Sequence, residues 1–267
     1  MPNRNSDQII DFHNHIFPEN IAERAVASIG CFYDSVMEGK GTVEDMLRSG
    51  AGIGHFVISS TATTKEQVTA INNFIAQKSA LDDRLIGFGS IHPAFANPAQ
   101  EIDRIIALGL RGIKLHSDFQ EYNIDDRAMY PIYEALEGRL PVIFHIGDYR
   151  MDYSNPLRLL KVLDRFPKLT VIAAHLGGYT VWDELGDVLI GKDLFIDTSS
   201  ALMFLPPQRA VDLIRRHGVE KVLYGTDYPM WSHQTELERI HSLGLTQEEV
   251  RKILSGNASQ LFGLSAE

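Results

Sequence analysis

Cysteine, long apolar runs and positive charge are all scarce in this chain, and each shortage excludes a class of protein. Cys31 is the only cysteine among 267 residues, so no disulfide bond can form within the chain. No apolar run approaches the ~20 residues that a transmembrane helix requires. The segment Met1-Pro2-Asn3-Arg4-Asn5 is polar and lacks the apolar stretch of a signal peptide. We therefore expect a cytoplasmic protein without a membrane partner.

Basic residues are outnumbered by acidic ones, 25 against 35, which gives a formal net charge of −10. The acidic residues are scattered along the chain, and such a surface discourages binding to nucleic acid. Linkers rich in proline, serine or glycine, low-complexity tracts and sequence repeats are also absent. The length suits one (β/α)8 barrel, which typically takes ~250 residues. Residues 1–267 are therefore predicted to form a single domain.

Apolar, strand-like runs recur along the chain and alternate with amphipathic segments. The predicted strands are Gln8–Phe17, Ile53–Thr61, Leu85–His92, Leu110–Ser117, Pro141–Asp148, Thr170–Gly178, Leu194–Ala201 and Lys221–Pro229. The predicted helices include Glu66–Ala80, Ala99–Leu108, Pro156–Phe166, Gln208–His217, Gln234–Leu243 and a terminal helix at Ser255–Phe262. This alternation is typical of a closed barrel or of an open, doubly wound sheet.

Two features favour the closed barrel. Residues able to bind a metal or move a proton follow six of the eight predicted strands, whereas an open sheet concentrates its site at one switch point. No Gly-x-Gly-x-x-Gly turn follows the first strand, so the usual dinucleotide fingerprint is missing. The sequence therefore predicts an α/β fold, a (β/α)8 TIM barrel whose site lies at the carboxyl ends of the strands.

Histidines and a carboxylate occupy several of these strand ends. His13 and His15 are two residues apart on one strand, so both point to the same side and can take adjacent positions on a divalent metal. Asp11 shares that parity, and Asp11 or a backbone group is expected to fix an imidazole tautomer. His145 and His175 end two successive apolar strands, which favours a functional role over a structural one.

Asp227 follows the apolar run 222–226. A carboxylate at the mouth of such a strand needs a cation or hydrogen-bond donors to offset its desolvation. Capping of a following helix is the structural alternative. We interpret Asp227 as a metal ligand or a general base.

Four segments, taken in order, resemble the amidohydrolase superfamily: His13-Asn14-His15, His145, His175-Leu176-Gly177-Gly178 and Gly225-Thr226-Asp227-Tyr228-Pro229. Within it, the chain is similar to the amidohydrolase-related branch that contains aminocarboxymuconate-semialdehyde decarboxylase, resorcylate decarboxylases and pyrone-dicarboxylate lactonase. The late segment Asn257-Ala258, followed by Leu261-Phe262, matches the tail common in that branch. The resemblance therefore covers essentially the whole chain.

The resemblance implies that His13, His15, His145 and Asp227 bind one divalent metal ion. Zinc is the expected ion because the ligand set is rich in imidazole. His175 is then the general base or electrostatic partner of the metal-bound water, and Asp227 is a second catalytic residue. A divalent metal lowers the pKa of bound water toward ~7, which agrees with these roles.

Lys114 has three alternative interpretations. In two-metal members of the superfamily, a carboxylated lysine on the fourth strand bridges the ions, and histidines of strands five and six hold the second one. Lys114 resembles that bridge; alternatively it binds a substrate carboxylate, or it is a buried lysine paired with a carboxylate. His116, His92 and Arg150 are further candidates for contact with an anionic substrate.

Two reactions fit this set of residues. The leading interpretation is hydrolysis, in which metal-bound water attacks a small amide, lactone or ester-like substrate. The alternative is non-oxidative, metal-dependent decarboxylation of a small unsaturated or aromatic acid, with Lys114 and Arg150 as the available cations. A barrel that only binds is disfavoured, because every expected ligand position is filled. In each case the partner is a small molecule, and a homo-oligomer is left open.

Overall fold

Eight parallel β-strands alternate with helices in the computed structural model, which describes residues 8–185 and 187–264. The strands are β1 (Ile10–His15), β2 (His55–Ser59), β3 (Leu85–Gly89), β4 (Gly112–Leu115), β5 (Val142–Phe144), β6 (Val171–Ala173), β7 (Phe195–Asp197) and β8 (Val222–Leu223). The α-helices in the described residues are α1 (Glu19–Tyr33), α2 (Val43–Ser49), α3 (Val68–Ser79), α4 (Pro98–Ala107), α5 (Ser117–Gln120), α6 (Tyr130–Leu136), α7 (Pro156–Arg165), α8 (Trp182–Leu185), α9 (Pro207–His217), α10 (His233–Ser242), α11 (Gln247–Arg251) and α12 (Asn257–Phe262).

The strands are hydrogen-bonded in chain order, from β1 to β8. The end of β8 and the loop after it bond back to β1. Phe12 N–H donates to the Tyr224 carbonyl at 2.8 Å, and Asp227 N–H donates to the His13 carbonyl at 2.9 Å. A parallel sheet whose last strand meets its first, with helices in the connections, is a (β/α)8 barrel. The predicted fold class is confirmed.

The predicted elements agree with the observed ones in order and type. Each predicted strand contains an observed strand that is shorter, as with Val222–Leu223 inside Lys221–Pro229. The polar ends of the predicted runs leave the sheet and form the loops. Helix α1 was not among the predicted helices; only Ala22 and Gly30 among its 15 residues are buried.

Two compact units make up the chain. The terminal unit comprises Met1–Ile58 and Asp197–Glu267, and the central unit comprises Ser59–Ile196. That the chain is a single domain stays a prediction. The polar segment Met1-Pro2-Asn3-Arg4-Asn5 lies outside the described residues. Among the residues that the structure describes, no helix is long and apolar enough to span a membrane.

The terminal unit packs its last helix against the first and last strands. The rings of Phe12 in β1 and Phe262 in α12 stack with their centroids 5.2 Å apart. The side-chain amide of Asn257 donates to the carbonyls of Val219 and Val222, both at 2.7 Å. The predicted terminal helix is thus present, preceded by a π-helical segment at Lys252–Gly256, and it holds β8 in place.

The central unit is built on β3 to β6, whose described residues are buried. Lys114 of β4 lies opposite Ile143 of β5 in the parallel register. The amide of Asn72 in α3 donates to the Ser90 carbonyl at 3.0 Å and accepts from the Ser90 N–H at 2.7 Å. This pair of bonds ties α3 to the carboxyl end of β3.

Candidate active site

His13, His15 and Asp227 converge in the terminal unit, as the sequence predicts for three of the four proposed metal ligands. The Asp227 Oδ1 atom lies 3.6 Å from His13 Nε2 and 3.3 Å from His15 Nε2. One ligand atom from each residue lies within 4.8 Å of the others. The side chains of His15 and Asp227 are 16% and 12% exposed, so a ligand can reach the group. Two imidazoles and a carboxylate suit a divalent ion of the zinc or manganese kind.

The orientation of the His13 ring is fixed by strand β7. His13 Nδ1 lies 2.8 Å from Asp197 Oδ2 and 2.9 Å from Ser199 Oγ. Because a carboxylate only accepts hydrogen bonds, His13 donates from Nδ1 to Asp197, and Nε2 is the ring nitrogen that is directed toward Asp227. The tautomer is therefore set by Asp197. For His13, the expectation that Asp11 or a backbone group does so is wrong.

Asp11 instead holds backbone segments together. Its Oδ1 atom accepts the N–H of His13 at 3.1 Å and the N–H of Thr226 at 3.0 Å. Its Oδ2 atom accepts the Thr226 hydroxyl at 2.5 Å. The side chain is fully buried. Asp11 thus ties the strand that carries His13 to the segment that carries Asp227.

Asp227 is held in a backbone conformation that side chains rarely adopt. Its φ is 65°, and Ser200 has a φ of 48°. Ser200 Oγ donates to Asp227 Oδ2 at 2.6 Å, and Trp231 Nε1 donates to Ser200 Oγ at 2.8 Å. Strain of this kind persists where the surrounding contacts over-determine a conformation, which is frequent at functional sites. With Oδ2 occupied by Ser200, Oδ1 faces the two imidazoles.

His145 and His175 meet in the central unit. His145 Nδ1 and His175 Nε2 are 2.9 Å apart, so one proton is shared between the two rings. His175 is buried and has a φ of 61°, and its carbonyl accepts a bond from Trp182 Nε1 at 3.0 Å. The two predicted histidines are thus brought together. The roles of His145 as a ligand and of His175 as a base stay predictions.

Asp118 and His116 surround the same histidine. Asp118 Oδ2 lies 3.4 Å from His145 Nε2 and accepts the Ser154 hydroxyl at 2.7 Å. Burial raises the pKa of the Asp118 carboxyl to about 6. The rings of His116 and His145 are parallel within 8°, with centroids 4.0 Å apart. By distance alone, Asp118, His116 and His145 form a potential group of metal ligands. The two rings are parallel, however, so a single ion cannot lie in the plane of both imidazoles.

The remaining predicted residues are in the central unit. Lys114 is 1% exposed in β4, so its burial agrees with the interpretation as an interior lysine. His92 is partly buried, which lowers the pKa of its imidazole, and its Nδ1 accepts the Ala94 N–H at 3.1 Å. Arg150 pairs with Asp148 of its own loop through Nη2–Oδ2 at 2.6 Å and Nε–Oδ1 at 2.9 Å. Their contacts with substrate stay predictions.

Sequence reasoning missed Asp197 and Asp118. Asp197 follows the apolar run 194–196, which is the same signal that identified Asp227. It was passed over because the predicted strand was extended to Ala201. Asp118 lies beyond the end of the predicted strand Leu110–Ser117, in the short helix α5, so no strand pattern indicated it.

Comparison with protein families places the chain among known proteins. The family model described as "Amidohydrolase" matches residues 10–264. Among curated proteins, the 2-amino-3-carboxymuconate-6-semialdehyde decarboxylase of Dictyostelium discoideum is 30% identical over 245 residues. The match covers 73% of this chain and 66% of that protein, so the chain spans slightly less than two thirds of that relative's length.

Solved structures share the fold. A 2,6-dihydroxybenzoate decarboxylase in complex with 2,6-dihydroxybenzoate has a TM-score of 0.76 at 17% identity, covering 97% of this chain and 99% of that chain. The 5-carboxyvanillate decarboxylase of Sphingomonas paucimobilis has a TM-score of 0.71 at 17% identity, covering 96% and 99%. A dihydroxybenzoic acid decarboxylase of Polaromonas sp. JS666, with bound manganese and 2-nitroresorcinol, has a TM-score of 0.74 at 17% identity, covering 97% of each chain.

Proposed function

The chain belongs to the amidohydrolase family, and from this we propose that it is a metal-dependent decarboxylase of a small aromatic or unsaturated carboxylic acid. The observation that carries the reaction is the 30% identity to a decarboxylase of the same family. The observation that carries the metal is the convergence of His13, His15 and Asp227. Hydrolysis, the leading interpretation from sequence, is unconfirmed, and the comparisons support the decarboxylase alternative better.

The donor set fits the metal. His13 donates from Nδ1 to Asp197, so Nε2 is the nitrogen that would bind the ion, and Asp227 Oδ1 adds a negative charge beside it. We infer that His13, His15 and Asp227 hold one divalent ion. His145 as a further ligand stays a prediction. Manganese is as good a candidate as zinc, since a decarboxylase of the same fold contains it.

When bound, a divalent ion there would supply positive charge that attracts the carboxylate and hydroxyl oxygens of an acid substrate. The chain must supply the proton. In decarboxylation, the bond between the carboxylate carbon and the substrate carbon breaks, carbon dioxide leaves, and a proton takes the vacated position. His175 is the proposed donor, because a neutral or protonated imidazole can deliver a proton near pH 7.

The surroundings of His175 support this role. Its Nε2 atom shares a proton with His145 Nδ1, and Asp118 lies at the other nitrogen of His145. The two hydrogen-bonded imidazoles can hold a proton inside a buried region and pass it from one ring to the other. The turn at His175 is held by Trp182, so the imidazole is fixed in position before substrate arrives.

The proposal also covers the partner. Decarboxylases of this fold bind 2,6-dihydroxybenzoate in one structure and 2-nitroresorcinol in another, and we propose a small anionic aromatic acid as the substrate of this chain. Arg150 is partly exposed and already paired with Asp148, so it can contact a substrate carboxylate only by sharing its guanidinium. Cytoplasmic location and homo-oligomer formation stay predictions.

The experiment that tests the proposal is a substrate screen on purified protein loaded with manganese or zinc. The panel comprises 2,6-dihydroxybenzoate, 5-carboxyvanillate and 2-amino-3-carboxymuconate semialdehyde, beside simple lactones, esters and amides. We expect loss of a carboxylic acid with the decarboxylated product appearing by chromatography, and no turnover by His13→Ala. Turnover confined to lactones, esters or amides would overturn the decarboxylase assignment and restore hydrolysis.

A further inference from the structure

His233, the first residue of α10, is buried and points at the backbone framework of the metal centre. Its Nε2 atom lies 3.1 Å from Asn14 Oδ1 and 3.3 Å from Asp11 Oδ2. Its Nδ1 atom lies 2.9 Å from Ser49 Oγ at the end of α2. We propose that His233 is a positioning residue, which orients Asp11 and thereby sets the spacing of the metal ligands His13 and Asp227. The inference rests on the proposed function, in that it requires a metal ion at these ligands.

The hydrogen-bond roles are settled by the partners. Asn14 Nδ2 donates to the carbonyls of Asp11 and Val57, both at 3.2 Å, so its Oδ1 is the atom that faces His233. An amide oxygen and a carboxylate oxygen both accept hydrogen bonds. His233 therefore donates the N–H of Nε2 to Asn14 Oδ1, and the same N–H lies beside the carboxylate oxygen Oδ2 of Asp11, 3.3 Å away.

The ring of His233 cannot easily turn away from these partners. It stacks on Tyr228, with centroids 5.3 Å apart and an angle of 26° between the rings. It also packs edge-on against the ring of Phe56, with the centroids 5.6 Å apart and an angle of 88° between the rings. Since Tyr228 is the residue after Asp227, the histidine is held by the same segment that it helps to position.

Asp11 converts this contact into ligand geometry. Its carboxylate accepts the backbone N–H of His13 and the N–H and hydroxyl of Thr226. His13 is itself a proposed ligand in β1, and Thr226 directly precedes the proposed ligand Asp227 in the loop after β8. Removing the Nε2–H would leave Asn14 Oδ1 without this donor and would take a positive ring edge away from the buried Asp11 Oδ2, so the carboxylate would move. Such a movement shifts the two ligand-bearing segments relative to each other.

The test compares His233→Gln with His233→Asn. The side-chain amide of each variant imitates a different ring nitrogen of the histidine. The glutamine amide reaches the place of Nε2, whereas the shorter asparagine amide reaches only the place of Nδ1. His241→Asn, on the exposed face of the same helix, is the matched control. The affinity for Mn²⁺ or Zn²⁺ is measured by competition with a chromogenic chelator, and the melting temperature of each metal-free protein is measured by calorimetry.

We expect His233→Asn to bind the metal about 10–100-fold more weakly than the unsubstituted protein, the usual loss when an outer partner of a metal site is removed. His233→Gln should recover most of that affinity, and His241→Asn should lose none. Equal affinity for all three variants, or an equal loss in the two His233 variants that follows their melting temperatures, would overturn the proposal. If the unsubstituted protein binds no divalent metal, the proposed function itself fails, which is a different result.

Discussion

His13 Nδ1 lies 2.8 Å from Asp197 Oδ2, although 184 residues separate the two in the chain. The contact joins the first strand to the seventh and fixes which nitrogen of His13 is free to bind a cation. It also places a negative charge behind the imidazole, which strengthens the ring as an electron-pair donor. The metal centre is thus oriented by a carboxylate that is not itself in the ligand group.

The first prediction concerns that carboxylate. In Asp197→Asn the amide no longer holds the proton on His13 Nδ1 as firmly, so we expect the affinity for divalent metal to fall about 10–100-fold. Chelator competition measures the loss. Asp212→Asn, whose side chain is 46% exposed on α9, is the control and should bind metal normally. An Asp197→Asn protein with undiminished affinity would show that the contact does not orient the ligand.

The second prediction concerns the proton donor. His175→Ala should retain its metal and lose about 10²–10⁴-fold in kcat, the usual contribution of a positioned acid or base. The measurement pairs turnover with metal content by mass spectrometry on the same preparation. Loss of a metal ion together with activity would identify His175 as a ligand and would count against its role as proton donor.

The third prediction concerns the number of metal ions and Lys114. One ion per chain is expected, and Lys114→Met, which removes the amine that could be carboxylated, should leave that number at one. Lys168→Met, at an exposed position, serves as the control. Two ions in the unsubstituted protein, falling to one in Lys114→Met, would establish the bridged two-metal site instead.

The fourth prediction concerns stability and pH at Glu236 of α10. The side chain is fully buried, and one of its oxygens makes no hydrogen bond within the described residues. Burial raises the pKa of its carboxyl to about 7, against the opposing influence of Arg239. Between pH ~4.5 and ~7 the folded state therefore holds more protons than the unfolded state, and the free energy of unfolding decreases as pH rises through that window.

Glu236→Gln cannot ionise, so its stability relative to the unsubstituted protein should improve as pH rises from 5 to 8. The change in that difference should be on the order of 3 kcal/mol, following from the shift in pKa. Denaturant unfolding at both pH values, with metal content held constant, measures it. Glu238→Gln, exposed on the same helix, should show no such change. A constant difference for Glu236→Gln would mean that the carboxyl is already ionised at pH 5.

The sequence predicted which residues end the strands, and this was enough for the barrel and for His13, His15 and Asp227 as a group, whereas the contact between His145 and His175 was not predicted. Strand ends can be read locally because apolar runs stop at polar residues. Which side chains meet depends on register and on closure of the sheet. The contact between Asn14 and His233 crosses 219 residues, and no local pattern in either segment indicates it.

Reaction type was harder to predict than ligand type. Both hydrolysis and decarboxylation use a divalent ion, a carboxylate and an imidazole, so the residues alone favour neither. The preference for hydrolysis followed from the general chemistry of metal-bound water. The proposed reaction rests on the 30% identity to a decarboxylase, which is information that the residue types do not carry.

Release of carbon dioxide from a labelled acid is the measurement that tests the central claim most directly. Metal-loaded protein is incubated in D₂O with the three acids of the panel, each labelled with ¹³C in a carboxyl group. We predict that one of them yields labelled carbon dioxide together with an equal amount of product carrying one deuterium at the vacated carbon, and that His175→Ala greatly slows both. No labelled carbon dioxide from any of the three acids, with hydrolysis of a lactone or amide by the same preparation, would contradict the account.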